Sequence, residues 1–208
     1  MNFKRIISIV LVCLMATMSM TAKVRKSKAP VKITCIGASI TEGAMTANPA
    51  TDSYPAQLGR MLGERYVVSN FGVGGCTMLR KGDCPYWEKE AYQQALASEP
   101  DIVFIDLGGN DSKAVNRVHM DEFVKDACEM IASFQNLPTK PRIIVLTPIV
   151  SFVEDSNGIY DEVICSKVSP KTIEAADRMR VEVLDIHSVL NRRPDLMPDC
   201  IHPNTEGS

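Results

Sequence analysis

The chain has little of what would mark it for nucleic acid, for a membrane or for a metal. It has no long basic block, and 23 Lys and Arg against 25 Asp and Glu leave a formal charge of -2. Without a concentrated positive face there is nothing to neutralise a phosphate backbone, so no nucleic-acid partner is expected. No C-x-x-C or H-E-x-x-H occurs, so no metal site and no cofactor are expected from ligand spacing. No G-x-x-x-x-G-K-[ST] occurs either, and "GVGGCT", Gly72 to Thr77, breaks the dinucleotide pattern G-x-G-x-x-G at its last position. "GASIT" has Thr41 where a nucleophile elbow needs its second glycine. Histidine is scarce, at three residues, so chemistry that needs an imidazole base has only His119, His187 and His202 to draw on.

Long apolar runs are also missing. The longest, Ile6 to about Met20, falls short of the ~20 residues that a spanning helix needs. It follows Lys4 and Arg5 and gives way to small and then basic residues, the layout of a secretory signal peptide. Residues 1–22 are therefore expected to be a leader cleaved near Ala22, with a periplasmic or secreted product and no stable membrane anchor. Val12 is too bulky for the position before a lipidated cysteine, which sets Cys13 aside. Six cysteines remain after the leader. Export permits disulfides, and Cys76 with Cys84 is the best candidate pair, its connectivity left open. Cys35 and Cys128 read as small core residues. Residues 23–208, in a chain 45% apolar and 23% charged, suit a single domain.

The order of patterns then sets the fold class. "VKITCIG", "YVVSNFG", "DIVFIDLGG", "PRIIVLTP" and "RVEVLDIH" read as five strands, the first fitting a buried strand and the third apolar enough to be buried on both faces. Between them "YPAQLGRMLGERY", with Leu58, Met61 and Leu62 at helical spacing, "WEKEAYQQALASEP", "MDEFVKDACEMIASFQNL" and "SPKTIEAADRM" read as helices. Alternating strands and helices imply a parallel sheet covered on both sides, an α/β three-layer α/β/α sandwich. The chain stops at "HPNTEGS", where a closing helix is expected, so a C-terminal helix is expected to be missing from this sequence.

In an open parallel sheet, ligands bind beyond the carboxyl ends of the strands. Ser39 follows the first strand, Gly72, Gly74 and Gly75 the second, and Gly108 to Asp111 the third. A serine between glycines is ordinarily a turn residue, and it becomes a nucleophile only with a base. His119 reads as a cap or a solvated residue. His187 ends the fifth strand among residues that look like packing. His202 sits in "PDCIHPN" between Pro198 and Pro203, where Asp199 three residues earlier reaches Nδ1 and leaves Nε2 to face another group. Acyl transfer also needs donors for the oxygen that becomes negative. The Ser39 N–H, a glycine N–H from "GVGG" and the Asn110 amide supply three, although tight turns and an Asx cap account for the same residues equally well.

Together "GASITEG", "NFGVGG", "GGND" and "DCIHP" resemble the four motifs of the SGNH hydrolase superfamily, the GDSL esterases and lipases, over about residues 31–207. The resemblance implies a flavodoxin-like sheet and a serine esterase without cofactor, with Ser39 as nucleophile, His202 as base and Asp199 as its orienting acid. It implies an oxyanion hole of the Ser39 N–H, Gly75 N–H and Asn110, with Gly72 the alternative glycine. The family usually has Asp before the serine, and this chain has Ala38. "SITEGAMTANPATDSYPAQLGRML" and "KGDCPYWEKEAYQQALASEPDIVFIDLGGNDSK" are similar to the sialate O-acetylesterase-like branch, which implies removal of acetyl groups from sugars, a small-molecule or glycan ester being the partner. Gly72, Asp111 and Trp87 are then the residues expected on the substrate side. A broad carboxylesterase, lysophospholipase or thioesterase is the alternative, and a non-catalytic carbohydrate-binding relative the alternative from another class.

Overall fold

The computed structural model describes residues 29–208, so the expected leader, residues 1–22, lies outside the described residues. Five strands, β1 (Val31–Gly37), β2 (Tyr66–Gly72), β3 (Ile102–Asp106), β4 (Arg142–Leu146) and β5 (Glu182–Leu184), form one sheet in the order β2-β1-β3-β4-β5. Every neighbouring pair is parallel. The helices that matter to the argument are α1 (Ser39–Glu42), α2 (Tyr54–Leu62), α3 (Glu90–Ala97), α4 (Phe123–Gln135) and α5 (Ser169–Met179). This is the expected three-layer α/β arrangement. Among the described residues no helix is long and apolar enough to cross a membrane.

Burial follows the apolar pattern. Ile33, Cys35 and Ile36 of β1, Val103 and Ile105 of β3 and Ile143 to Leu146 of β4 are buried, as central strands covered on both faces must be. Phe123, Ala127, Met130 and Phe134 form the inward stripe of α4, and Phe123 and Phe134 are wholly enclosed, each contributing about 2–3 kcal/mol by burial. The ends are local chemistry. Gly63, at φ 75°, stops α2 after Leu62, the last residue of its apolar spacing, and Arg180 closes α5 in the left-handed conformation.

One expectation is corrected here, the pairing of Cys76 with Cys84. Met61 and Leu62 are exposed, and Met61 borders an apolar groove of about 380 Å³ shared with Leu58, Leu146 and Leu184. Cys76 and Cys84 are both free thiols, with sulfurs 3.7 Å apart. Strand β5 is also shorter than its sequence pattern, and it is exposed along all three residues because it forms the sheet edge.

Residues on neighbouring strands pair in register up to the carboxyl edge, where Gly37 lies opposite both Gly72 and Asp106. A Cβ at Gly37 would fall 2.0 Å from the Thr41 hydroxyl oxygen and 2.7 Å from the Asp106 carbonyl oxygen. The close approach lets the chain turn from β1 straight into α1. Gly37→Ala is therefore expected to lower stability by about 1–3 kcal/mol, as overpacking does, measured by urea unfolding; an unchanged midpoint would show that the turn has slack.

Candidate active site

The chain leaves β1 at Gly37 and enters α1 at Ser39, so the serine is the first residue of a four-residue helix at the sheet's carboxyl edge. The turn is fastened from three sides. The Ala38 N–H donates to the Asp106 carbonyl (3.3 Å), the Thr41 hydroxyl donates to the Asp106 carboxyl (3.0 Å), and the Asn70 amide donates to the Thr41 carbonyl (2.6 Å). These bonds hold the loop without an aspartate at position 38.

Asp106 was not singled out in the sequence, where it reads as the polar end of an apolar strand. It is buried, lines the same cavity as Ser39, and has its pKa pushed up to about 6 by burial, against the opposing Thr41 hydrogen bond. The neighbouring Cys35 thiol is also buried and pushed up to about 12, which keeps it neutral.

The second component arrives from the other end of the chain. Asp199 turns the backbone with its own carboxylate: Oδ1 accepts the N–H groups of Ile201 (3.0 Å) and His202 (2.7 Å). Cys200 takes a left-handed conformation, φ 67°, between them. Oδ2 then meets His202 Nδ1 at 2.6 Å, and His202 Nε2 lies 2.7 Å from Ser39 Oγ. Burial raises the Asp199 pKa, but the His202 ring and the two backbone donors outweigh it and hold the carboxyl below its usual value. Asp199 therefore stays ionised wherever the imidazole needs a negative partner.

The loop is tied to the rest of the domain by the Phe152 N–H to the Cys200 carbonyl (2.8 Å), the Ala47 N–H to the Thr205 hydroxyl (2.9 Å) and the Gln57 amide to the Thr205 carbonyl (3.2 Å).

The third component is a set of unspent donors. Among the described residues the backbone N–H groups of Ser39 and Gly75 have no hydrogen-bond partner. Gly75 holds φ 78°, and a Cβ built on Gly74 would come 3.9 Å from the Ser39 Cβ, so this loop passes against the serine. Asn110 lines the Ser39 cavity and spends one amide hydrogen on the Cys76 carbonyl (3.1 Å), leaving the other for a ligand. The cavity is small, about 30 Å³, bounded also by Gly109, Pro148 and Ile159.

The structure thus brings together Ser39, His202, Asp199 and Asn110, with Gly75 in the adjoining loop. It does not bring Gly72, Asp111 or Trp87 to the cavity. The Gly72 N–H is taken by Asn70 Oδ1 (2.8 Å), and its Cα packs on the backbone of Thr41 and Glu42. Asp111 is wholly buried, accepts the N–H groups of Met78 (2.9 Å) and Leu79 (2.7 Å), and has a pKa pushed up to about 6 by burial against those bonds. Trp87 donates from Nε1 to the Met78 carbonyl (2.8 Å) under the Arg80 guanidinium, 3.4 Å above its ring. These residues shape the Gly74–Leu79 loop from behind rather than facing a substrate. His119 stands apart from the site. His187 is bonded to Asp161 and Cys165, not enclosed in apolar packing as its sequence neighbours implied.

Residues 35–208 match the sequence profile of the GDSL-like lipase/acylhydrolase family. The chain belongs to this family. It is 38% identical over 196 residues to an acetylxylan esterase of Xylanibacter ruminicola, an alignment that takes in 86% of this chain and 41% of that protein. The chain thus spans well under half the length of that relative.

Two solved structures share the fold. Est24, a carbohydrate acetylesterase from Sinorhizobium meliloti, superposes with a TM-score of 0.66 at 20% identity, over 85% of this chain and 92% of that one. A two-domain esterase active on acetylated mannans gives 0.65 at 19% identity, over 95% of this chain and 48% of that one.

The buried carboxyls give the site a pH signature. A carboxyl whose pKa rises on folding binds its proton more tightly in the native state, so stability falls as pH rises from about 4 to about 6 and stays lower above that. Asp106 and Asp111 both act in this window. Asp106→Asn should remove one share, making the variant gain up to about 3 kcal/mol on wild type between pH 4 and pH 8. Urea unfolding at the two pH values measures it; parallel curves would mean that Asp106 is not the titrating group.

Proposed function

We propose that the protein is a serine esterase that removes acetyl groups from carbohydrate by an acyl-enzyme mechanism. The observation that carries this reading is the continuous relay of 2.7 Å from Ser39 Oγ to His202 Nε2 and 2.6 Å from His202 Nδ1 to Asp199 Oδ2. In such a relay the imidazole removes the hydroxyl proton as oxygen attacks the ester carbonyl, and the carboxylate fixes the tautomer and stabilises the imidazolium. The oxyanion formed is met by the Ser39 N–H, the Gly75 N–H and the second Asn110 amide hydrogen. Collapse of the tetrahedral species breaks the ester C–O bond, and the imidazolium returns its proton to the departing sugar oxygen. Water then enters, gives its proton to His202, and attacks the acyl carbonyl; acetate leaves and Ser39 recovers its hydrogen.

Cavity size supports the acetyl preference. A single water needs roughly 10–15 Å³ of such space, so about 30 Å³ takes an acetyl methyl and little more. The acetylxylan esterase resemblance supports a plant-polysaccharide acetyl ester ahead of an acetylated sialic acid. The arrangement of Lys4, Arg5 and the apolar run after them supports export, where polymeric glycan is met.

The test is a release assay on acetylated xylan, acetylated sialic acid and p-nitrophenyl esters of increasing chain length. Acetyl esters are expected to be cleaved, with hexanoyl esters at least ~10-fold slower in kcat/KM. Ser39→Ala and His202→Ala should each cost at least ~10³-fold in kcat, and Asp199→Asn less, since it orients rather than exchanges the proton. Substantial turnover by His202→Ala, or equal rates on hexanoyl esters, would reject the mechanism or the acyl preference respectively.

A further inference from the structure

A second histidine cluster lies away from the Ser39 relay. Asp161 opens a short helical turn, Asp161–Val163, that widens into a π-type turn over Ile164–Val168, and Cys165 sits one turn after Asp161. His187 follows β5. Its Nε2 is 2.9 Å from Asp161 Oδ1 and 3.3 Å from Cys165 Sγ, and Sγ is 3.7 Å from Asp161 Oδ2.

The arrangement differs in kind from that at His202. There the carboxylate and the hydroxyl take opposite ring nitrogens, so one proton can be handed along. At His187 both partners converge on the same nitrogen. A ring nitrogen carries either one hydrogen or one lone pair. It can donate to Asp161 or accept from the Cys165 thiol but not both, so with protons alone the thiol turns to Asp161 Oδ2 and the 3.3 Å approach of sulfur to nitrogen carries no hydrogen bond of its own. A cation at the centre would satisfy all three at once.

The dimensions agree with that. Zinc bonds of ~2.3 Å to sulfur and ~2.0–2.1 Å to nitrogen and oxygen give a tetrahedral face with edges of roughly 3.3–3.6 Å. The nitrogen–oxygen and nitrogen–sulfur separations, 2.9 and 3.3 Å, lie within about 0.4 Å of those lengths, the 3.7 Å contact of the sulfur is with the other carboxylate oxygen, and one ligand atom from each residue lies within 4.8 Å of the other two.

We propose that Asp161, Cys165 and His187 form a three-ligand site for a borderline divalent transition metal of the zinc type, with a fourth position left to solvent. Sulfur, imidazole nitrogen and one carboxylate suit such an ion and disfavour magnesium and calcium, which require oxygen. On binding, the Cys165 thiol gives its proton to solvent and the S–H bond is replaced by a sulfur–metal bond.

The groups around the ligands are already in place. Asp185 Oδ1 accepts the His187 backbone N–H (3.0 Å) and the Thr147 hydroxyl (2.8 Å), which fixes where the imidazole starts. Asp161 Oδ1 accepts the Ser151 N–H (3.0 Å), and Ser151 lines the cavity beside Ser39. The site would clip the segment after the edge strand β5 to the turn that buttresses the cavity wall. The inference is independent of whether Ser39 is the nucleophile.

Cobalt(II) provides the test, because a thiolate ligand gives a charge-transfer absorption that carboxylate and imidazole do not. Reduced, metal-free protein is titrated with cobalt(II) and then with zinc(II). One equivalent is expected to develop the sulfur-to-cobalt band with the d–d pattern of a four-coordinate ion, and zinc is expected to erase it. Zinc should also raise the thermal midpoint of the wild type by several degrees.

Cys165→Ser should abolish the band, and His187→Gln should weaken affinity by more than the ~10–100-fold that loss of an outer partner costs. Both variants are checked by circular dichroism without metal, and Cys200→Ser, altering another exposed thiol, should keep the band. No thiolate band in the wild type, or a band that survives Cys165→Ser, would overturn the proposal.

Discussion

The hydrogen bond from Ser39 to His202 is the constraint on which the candidate site depends. It joins residues 163 positions apart, and neither partner is held by the other's element. Ser39 is placed by the sheet, because β1 ends in a glycine close enough to its neighbours to turn at once. His202 is placed by a loop without regular structure, whose shape comes from Asp199. A single carboxylate accepts two backbone N–H groups and the imidazole N–H, so the residue that aims the imidazole also builds the turn that carries it. Economy of this kind makes the loop's geometry and the imidazole's tautomer one property. A change at Asp199 touches both.

The donor side of the site is built on the opposite principle. Its shape is set by residues that do not reach the cavity. Asp111 is wholly enclosed and accepts two consecutive N–H groups from the loop after β2, Asn116 Nδ2 donates to the Asn110 carbonyl (2.8 Å), and Trp87 holds the Met78 carbonyl. Burying a carboxyl raises its pKa because the charged form loses its hydration, so the fold accepts a cost at Asp111 to define the backbone near Gly75. Asp106 repeats the arrangement under Ser39. Two buried acids, one beneath the serine and one behind the donor loop, are the means by which flexible glycine-rich turns become fixed.

This explains what could be read in the sequence and what could not. The bounds of β1, β2 and α5 follow from alternation, turn residues and caps, and they match the structure to the residue. Residues that act through chain order and spacing were visible too: Ser39 after a strand, Asn110 after another, and Asp199 three before His202. The supporting residues were not, because nothing in "GGND" distinguishes Asn110, which lines the cavity, from Asp111, which is turned away from it. Alternation of direction along an irregular turn is set by tertiary contacts, here the N–H groups of Met78 and Leu79, more than thirty residues earlier. The tryptophan failed as a signal for a related reason. Its ring is covered by Arg80, a neighbour that a linear reading treats as a surface charge.

The two bonded histidines show the same limit from the other direction. His202 and His187 each have an aspartate partner, yet one pair is local in sequence and the other spans 26 residues. Local spacing made the first legible. The second depends on the parallel crossover that returns the chain to β5 beside the turn holding Asp161 and Cys165, so its members have no motif. What separates the two chemically is which ring nitrogen each partner meets. Opposite nitrogens make a path for a proton, whereas a shared nitrogen makes a meeting point with no path through it. The same His–Asp pairing therefore takes two different geometries, and the backbone directions imposed by the fold decide between them.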